Sequence, residues 1–406
     1  MTGKYKINTK HELETFVTSN WNEINTHIDA LLAQLPISLY SSCDIRESKN
    51  KFAPVDLNIY PAGFNNLCML DLEASGKLFK RAFTKVKADA NHIAIIPESH
   101  TKNKFYLDHL AILGKAIRDA GYEVSFIGLD PKLFESEERL ELISHSGFDV
   151  VIEKAIVKEG MLYTADEPID IAVLNNDQSS PLPLEWRDIK TPVIPTPHIG
   201  WFARQKNTHF RYYKKVADEF CTRYEINPDL IQAHFKTVED VDFSTKTGLE
   251  TLGSAVDELI SEIGAGRKVF VKASQGTYGM GISVVGSGEE IISMNRKVRN
   301  KMDVGKNSIK FTSLLVQEGV ETILKYDDAP AEVTIYLVDG ASVGGFMRAN
   351  SERDSEGNLN SKGMVFRKFC ISEIRQNQDH QCKEAVYSVI ARLSTLASSH
   401  EIKEVL

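Results

Sequence analysis

The sequence has little cysteine, and its cysteines form no pattern that indicates a disulfide framework or a zinc site. Five are scattered along 406 residues, and none forms a Cys-x-x-Cys pair with another. A sparse, odd-numbered set is typical of reduced thiols in a cytosolic protein, so we expect a cytoplasmic location. The cysteines are Cys43, Cys68, Cys221, Cys370 and Cys382.

The sequence also lacks a long apolar run and an excess of positive charge. No run reaches the roughly 18 apolar residues of a membrane-spanning helix, and we read no secretory signal in "MTGKYKINTK". The net charge of −8 argues against nucleic acid or an anionic membrane as the main partner. With 42% hydrophobic and 26% charged residues over 406 positions, we expect a soluble globular protein of two or three domains.

Strands and helices alternate through the middle of the chain. Short β-rich runs are separated by helical stretches such as "FYLDHLAILGKAIRDAG", which predicts a parallel sheet covered by helices over about residues 88–200. Helical patterns over 10–35 and near 71–87 precede it, and a mostly helical segment, 205–264, follows it. The runs that we interpret as strands are "HIAIIPE", "YEVSFIG", "DVVIE" and "DIAVLNND".

The stretch "VKASQGTYGMGI", residues 271–282, places Lys272 near the end of an apolar strand and a glycine-rich loop after it. Backbone N–H groups can approach a phosphate closely where side chains are small, and a lysine adds compensating charge. The loop is neither a Walker motif nor a dinucleotide fingerprint, because "GISVVG" continues as a strand. Two interpretations stay open from this stretch alone: an ordinary hairpin turn, or a flap that closes over a triphosphate.

Downstream, the apolar strand in "LLVQEGVET" leads into Gln317, Glu318 and Val320. This segment resembles the adenine hinge of ATP-grasp ligases, whose backbone reads the adenine edge and whose next acidic residue takes the ribose hydroxyls. Lys236 lies where that family has a second phosphate lysine. The ATP-binding set that the resemblance implies is Lys236, Lys272, Gly276, Thr277, Tyr278, Gly279, Gly281, Gln317, Glu318, Val320, Glu321 and Glu332.

Two further segments, "AEVTIYLVDG" and "GGFMRANSERDSEGNLNSKGM", resemble a strand, an arginine and an Asn-Leu loop of bacterial glutathione synthetases. By that match Arg348 faces the transferred phosphate or the acyl phosphate, and Asn358 and Asn360 line the substrate end. The catalytic residues that the resemblance implies are Arg348 and Lys272.

The closer resemblance is to the proteobacterial glutamate–cysteine ligases of the ATP-grasp type. Its patterns recur along nearly the whole chain, in "APVDLNIYPAGFNNL", "IPESHTKNKFYL", "HIGWFARQKNTHF", "VKASQGTYGMGI", "VGGFMRAN" and "NLNSKGM". The resemblance implies an α/β protein with an ATP-grasp fold that joins glutamate to cysteine, with ATP and two Mg²⁺ ions as cofactors. Another ligase of the same mechanism, such as a glutathione synthetase, and a non-catalytic nucleotide-binding protein stay open as alternatives.

The predicted metal ligands occupy a different place along the chain from those of glutathione synthetases. Glutathione synthetases carry an aspartate, Glu-x-Asn and Pro-x-Gly on their last strands, whereas here no acidic-x-Asn follows Asn360. The set appears near the N-terminus instead, as Asp44, Asp56-x-Asn58 and Pro61-x-Gly63. We therefore expect a circularly permuted grasp domain in which Asp44, Asp56 and Asn58 bind the metal, because alternate residues on a strand share one face. Common loop residues that match by chance are the alternative.

The predicted substrate residues are polar side chains near strand ends and one domain junction. Arg204 fits a bidentate clamp for a substrate carboxylate, or equally a solvated helix face. His100 fits a ligand or a structural histidine, and Asp177 fits an ammonium site or a loop turn. The full set is Arg46, Asn65, Asn66, Glu98, His100, Asn103, Asp177, Arg204, Arg348, Asn358 and Asn360.

Four regions follow from these patterns. We expect N-terminal helices plus the permuted metal strands over 1–87, and a parallel α/β substrate domain over 88–204. The lid subdomain with the glycine flap covers 205–310, and the C-terminal grasp subdomain covers 311–406.

Overall fold

The structure, a computed structural model, describes residues 5–36, 38–98, 102–130, 133–134, 137–165, 167–178, 189–275, 282–296, 298–299, 313–369 and 378–406. The helices are α1 (Lys10–Ser19), α2 (Trp21–Leu32), α3 (Met69–Val86), α4 (Lys104–Asp119), α5 (Lys206–Tyr224), α6 (Lys246–Ile263), α7 (Gly288–Ile292) and α8 (Gln378–Val405). The strands are β1 (Tyr40–Glu47), β2 (Phe52–Asn58), β3 (His92–Pro97), β4 (Glu123–Gly128), β5 (Arg139–Ile143), β6 (Asp149–Lys154), β7 (Ile156–Lys158), β8 (Met161–Tyr163), β9 (Ile171–Asn175), β10 (Val193–Ile194), β11 (Phe235–Glu239), β12 (Val269–Ala273), β13 (Ile282–Val285), β14 (Ser313–Glu318), β15 (Lys325–Tyr326), β16 (Ala329–Val338), β17 (Ala341–Asn350) and β18 (Met364–Phe369).

The predicted mixed α/β fold is confirmed, with two differences in its helical parts. The pattern over 10–35 forms two helices, because Asn20 leaves the helical conformation and its amide donates to the Phe16 carbonyl at 2.9 Å. The segment 205–264 contains β11 between its two long helices. The predicted domain boundaries stay predictions.

The parallel sheet forms where the strand–helix alternation predicts it. Its order is β10-β9-β3-β4-β6-β5, and every pair is parallel except the outer β5–β6 pair. Strands β3 and β9 are buried along their whole length, as central strands covered on both faces should be. Their carboxyl ends lie side by side, with Pro97 opposite Asn175.

The N-terminal hairpin completes a sheet made by the C-terminal strands. The order is β18-β17-β16-β1-β2, all antiparallel, with β15 paired to β16. Strand β2 lies at one edge, which suits Pro54 because proline has no N–H group to donate. This pairing is what the permutation hypothesis requires, although permutation itself stays a prediction.

A third sheet carries the strands on either side of the glycine loop. Its order is β11-β14-β12-β13, and its pairs are antiparallel. One face packs on α6 through Val256, Leu259, Val271 and Val316. Residues 276–281 between β12 and β13 lie outside the described residues.

Helix α8 lies at the centre of the molecule. Residues 384–399 are all buried, and the helix packs against α1, α2 and α5 and against the hairpin of β1 and β2. Over the residues that the structure describes, no helix has both the length and the apolar character to cross a bilayer.

Candidate functional site

One large cavity, of about 1290 Å³, lies where the three sheets meet. A face of the antiparallel sheet, the ends of β12 and β14, and the carboxyl ends of β3 and β9 all contribute to its lining. It brings together most of the predicted site residues. They are Asp44, Arg46, Asp56, Asn58, Asn65, Asn66, Glu98, Asn103, Asp177, Lys272, Gln317, Glu318, Val320, Glu332, Arg348, Asn358 and Asn360.

Strand alternation explains why the antiparallel sheet presents a polar face to this cavity. Asp44 lies between Asp56 on β2 and Thr334 on β16, and Glu332 lies opposite Arg348 on β17. Residues directly opposite in neighbouring antiparallel strands have Cβ atoms about 5 Å apart on the same face. Charged groups from four strands are therefore fixed in one layer by backbone pairing.

Arg348 is the centre of this charged layer. Its Nη1 donates to Asp44 Oδ2 and to Glu332 Oε1, both at 2.8 Å, and Arg46 Nε donates to Glu332 Oε2 at 2.9 Å. Although burial opposes its charge, Asp44 and Glu332 raise the pKa of Arg348 above its usual range. Burial raises the pKa of Asp44, whereas for Glu332 the two arginines outweigh burial and lower the pKa. The guanidinium is thus permanently charged and faces the cavity.

Lys272 lies near the end of β12, and its hydrogen-bond acceptors among the described residues are neutral. Its Nζ donates to the Val55 carbonyl at 2.9 Å and to Gln317 Oε1 at 2.7 Å. Burial lowers its pKa to about 8, although Asp56 acts in the opposite direction. An added anion would stabilise this ammonium, which fits the phosphate role that the sequence predicts.

The hinge residues follow β14 into the same cavity. The Glu318 carboxylate is 2.9 Å from Lys51 Nζ and accepts from the His234 backbone at 3.0 Å. The Val320 carbonyl accepts from Arg46 Nη1 at 3.2 Å. Glu321 is not among the lining residues and accepts a hydrogen bond from Ser355. Flap residues Gly276, Thr277, Tyr278, Gly279 and Gly281 are outside the described residues.

The three predicted metal ligands share one sheet face, although each has a protein partner. Asp56 Oδ1 accepts from Lys206 Nζ at 2.7 Å, Asp44 is bound to Arg348, and Asn58 Oδ1 accepts from the Tyr60 backbone at 2.9 Å. Burial alone would raise the pKa of Asp56, but Lys206 and Lys272 outweigh it and keep the pKa well below its usual range. The carboxylate is therefore charged at neutral pH.

These oxygen donors fit a divalent ion that arrives with a nucleotide. No closed cluster of three His, Cys, Asp or Glu residues occurs in the part of the chain that the structure describes. Magnesium typically takes one or two protein carboxylates and completes its shell with phosphate oxygens and water. Asp44 and Asp56, directly opposite each other, could supply those carboxylates once their lysine and arginine partners turn to phosphate.

The opposite end of the cavity is rich in amides and acids. Asn65 and Asn66 belong to a 3₁₀ turn (Phe64–Asn66) that His109 holds by accepting from the Phe64 backbone at 3.2 Å. Burial lowers the pKa of His109 to about 4, so it stays neutral in that bond.

The carboxyl ends of β3 and β9 meet beside that turn. The Glu98 carboxylate accepts from the Asp177 backbone at 2.6 Å. Asp177 Oδ1 is buried and has no hydrogen-bond partner within the described ranges. Asn103 caps α4, and His100 lies outside the described residues. An unpaired carboxylate oxygen at a cavity wall is suited to receive an ammonium group.

Asn358 and Asn360 are brought to the cavity by the loop between β17 and β18. Asn358 Oδ1 accepts from the Asn360 backbone at 3.1 Å. The Asn350 amide binds this loop through the Leu359 carbonyl and Ser361. Arg46 Nη2 donates to the Gly357 carbonyl at 2.5 Å.

Three predicted residues in the described part of the chain do not line the cavity: Glu321, Arg204 and Lys236. Arg204 is buried in a bidentate pair with Glu401, at 3.0 and 3.2 Å. Lys236 points towards α6, where its Nζ is 3.1 Å from Glu258 and 2.8 Å from Glu262. Their ligand roles stay predictions, and this conformation does not support them.

The cavity also contains polar residues that the sequence interpretation missed. Thr334 and Tyr336 follow Glu332 at alternate positions of β16, so the strand period of two was a signal that could have found them. Lys206 lies in the quoted segment "HIGWFARQKNTHF" but is not among the predicted site residues. Its ammonium reaches Asp56 at 2.7 Å, and no local sequence pattern predicts a contact over that distance along the chain.

Comparison with known proteins identifies the family of the chain. Residues 14–402 match the family described as glutamate-cysteine ligase. In sequence, no curated protein is detectably similar to the chain. Among solved structures, the chain is similar to a protein from Methylobacillus flagellatus KT that was assigned as a gamma-glutamylcysteine synthetase. The two are 33% identical over 97% of this chain and 96% of the other, with a TM-score of 0.88.

Two more distant structures share much less with the chain. D-alanyl-alanine synthetase A from Vibrio cholerae is 12% identical over 75% of this chain and 80% of its own, with a TM-score of 0.38. A glutathione synthetase-like effector from Globodera pallida is 11% identical over 87% and 78%, with a TM-score of 0.39. Neither likeness bears on function. The family match over residues 14–402 and the Methylobacillus structure together show that the chain belongs to the glutamate–cysteine ligase family, the family of ATP-dependent ligases that its sequence motifs predicted.

Proposed function

We propose that the protein forms γ-glutamylcysteine from L-glutamate, L-cysteine and ATP through a γ-glutamyl phosphate, the first step of glutathione synthesis. The observation that carries this proposal is the single cavity. It runs from the hinge residues, past the charged layer around Arg348, to the amides and acids at the carboxyl ends of β3 and β9. Nucleotide, phosphoryl centre and zwitterionic substrates would thus share one space.

The hinge and the charged layer divide the binding of ATP between them. Gln317, Glu318 and Val320 would hold the adenosine end and Lys272 the phosphates, since all four line the cavity. Asp44 and Asp56, with Asn58, would hold two Mg²⁺ ions. Bound magnesium supplies charge neutralisation to the transferring phosphoryl group.

In the first step, a γ-carboxylate oxygen of glutamate attacks the γ-phosphorus of ATP. The bond from that phosphorus to the β,γ-bridging oxygen breaks, and ADP leaves. Arg348 and Lys272 stabilise the negative charge on the equatorial oxygens of the transferring phosphoryl group, because fixed cations act most strongly where water is excluded. In the second step, the amine nitrogen of cysteine attacks the acyl carbon and inorganic phosphate leaves, while the amine gives up a proton.

The remote end of the cavity recognises the amino acids. Asp177 Oδ1, buried and without a partner in the described residues, receives a substrate ammonium. Asn65, Asn66 and Asn360, which also line the cavity, donate to carboxylate oxygens. Enclosure matters because water would hydrolyse the acyl phosphate.

The test is ADP release by the purified protein with Mg·ATP in three mixtures: glutamate alone, glutamate with cysteine, and γ-glutamylcysteine with glycine. We expect turnover only with glutamate and cysteine together, and γ-glutamylcysteine as the product. Turnover only with γ-glutamylcysteine and glycine would instead identify a glutathione synthetase. An Arg348→Lys variant is the control for contaminating ATPase, because it keeps one charge but loses the shared contact with Asp44 and Glu332.

A further inference from the structure

Cationic side chains, rather than another strand, satisfy the outer edge of β2. Within the described residues β2 is the last strand of its sheet, and carbonyls of alternate residues point to the same edge of a strand. The Val55 carbonyl accepts from Lys272 Nζ at 2.9 Å, and the Leu57 carbonyl accepts from Arg204 Nη1 at 2.6 Å. We call the three cations Lys272, Arg204 and Lys206 the β2 clamp; the contact of Lys206 is with a side chain of the same strand.

The third cation of the β2 clamp, Lys206, binds the side chain of Asp56, the residue between Val55 and Leu57. Lys206 Nζ donates to Asp56 Oδ1 at 2.7 Å, and it lies 4.5 Å from the centre of the Trp201 ring. The Lys206 backbone donates to the Ser274 carbonyl at 2.8 Å, which ties this residue to the end of β12. Three consecutive residues of β2, the middle one a predicted metal ligand, are therefore each bound by a different cation.

Arg204 differs from the two lysines because a buried carboxylate fixes it. Glu401 on α8 accepts from Arg204 Nε and Nη2, and its Oε1 is also 2.6 Å from His209 Nδ1. Arg204 and Glu401 are each 3% exposed, and neither lines the cavity. Lys206 and Lys272 line the cavity and are within reach of a ligand there, whereas Arg204 contacts β2 from outside the cavity.

We propose that Glu401 is a positioning residue for the metal-binding strand: it holds Arg204 against the Leu57 carbonyl, and so fixes Asp56 and Asn58 for a metal ion bound with ATP. The inference rests on the nucleotide- and metal-binding part of the proposed function, and not on which amino acids are joined. Leu57 is the residue between the two ligands, so one bond to its carbonyl constrains both neighbours.

Stability alone does not account for the Arg204–Glu401 pair. Two buried charges lose their hydration, and replacing such a pair by apolar side chains of similar size is often neutral or stabilising. Partners that orient metal ligands from behind typically contribute 10–100-fold to metal affinity or activity. The Arg204–Glu401 pair joins residues 197 positions apart, and Arg204 also binds the Leu57 carbonyl between two predicted metal ligands. This arrangement matches the role of orienting metal ligands.

The experiment measures, by calorimetry on the full chain, the dissociation constants for ATP in EDTA and for Mg·ATP. In Glu401→Gln we expect the preference for Mg·ATP over ATP to fall about tenfold or more, with the affinity for ATP alone unchanged, because the hinge is untouched. Glu401→Gln leaves a buried arginine without its counter-ion, so the apolar double variant Arg204→Met/Glu401→Met is measured as well. It removes the bond to Leu57 without stranding a charge. Glu404→Gln, one turn along α8 and exposed, is the matched control.

The outcomes separate positioning from a general structural role. An unchanged preference for Mg·ATP in the double variant overturns the proposal, and so does an equal loss of affinity for ATP and Mg·ATP. Asp56→Asn should weaken the preference at least as much as Glu401→Gln does; if the preference is unchanged, Asp56 is not a metal ligand and the proposal fails. None of these measurements needs an amino acid, so a wrong assignment of glutamate and cysteine would appear separately in the ADP-release assay.

Discussion

The lowered pKa of Lys272 leads to two predictions for ATP binding. The affinity for ATP should fall as the pH rises, and the protein should take up a proton when ATP binds. In the free protein burial lowers this pKa to about 8. From about pH 7 to about pH 9, the charged fraction therefore falls from about nine-tenths to about one-tenth. Phosphates beside the ammonium would return the pKa at least to its ordinary value of 10.5.

The expected magnitude follows from these two values. The nucleotide complex binds more protons than the free protein throughout this interval, and the excess grows with pH, so affinity must fall as the pH rises. The dissociation constant should increase about tenfold between about pH 7 and about pH 9, or about 1.4 kcal/mol. Proton uptake on binding should rise from about 0.1 to about 0.9 over the same interval.

Calorimetry in buffers of different ionisation enthalpy measures both quantities, in EDTA so that metal binding does not contribute. Lys272→Gln should bind ATP more weakly but without the pH dependence. Lys268→Gln, next to the same strand and paired with Asp354 outside the cavity, should retain the dependence. A dissociation constant that does not change with pH, and no proton uptake at high pH, would refute the reasoning.

Three further changes test the surroundings of the cavity. Arg348→Met removes the shared partner of the buried Glu332 carboxylate and the half-buried Asp44 carboxylate, so the free energy of unfolding measured with denaturant should fall by about 3–5 kcal/mol. A fall of less than about 1 kcal/mol would contradict the stabilising role of the charged layer. Gly63 has φ +97, and a Cβ added there in Gly63→Ala would lie only 2.8 Å from a tyrosine hydroxyl. This variant should therefore lose clearly more free energy of unfolding than Gly264→Ala, where φ is +109 but the space around the Cβ is open. Burial raises the pKa of the Cys43 thiol, so mass spectrometry should find that alkylation modifies Cys43 only on unfolding, and after the half-buried Cys68.

Local patterns in the sequence were sufficient to predict four strands of the parallel sheet, β3, β4, β6 and β9, and most of the described polar residues that line the cavity. The alternation of β-rich and helical runs predicted the parallel sheet, and Asp56-x-Asn58 predicted two polar residues on one face of a strand. Pairing of Asp44 with Asp56 follows from the hairpin that these residues form. The strands, the shared strand face and the hairpin all depend on residues close together in sequence, so they leave a periodic pattern that can be read from the sequence.

Long-range partners could not be predicted in this way. The resemblance to ATP-grasp ligases implied a phosphate role for Lys236, yet register places Phe235 opposite Gln317, and Lys236 points towards α6. Arg204 carried a plausible substrate role, but its partner Glu401 comes from the last helix. Both outcomes depend on which face of the third sheet or of α8 packs against the rest, and a single sequence does not contain that information.

The most direct test of the central claim follows oxygen from substrate to phosphate. Glutamate labelled with oxygen-18 in its γ-carboxyl group is incubated with cysteine, Mg·ATP and the purified protein, and inorganic phosphate is analysed by mass spectrometry. A γ-glutamyl phosphate intermediate predicts one labelled oxygen in the phosphate for each peptide formed. Phosphate that carries no label, at a measured rate of peptide formation, would contradict the mechanism.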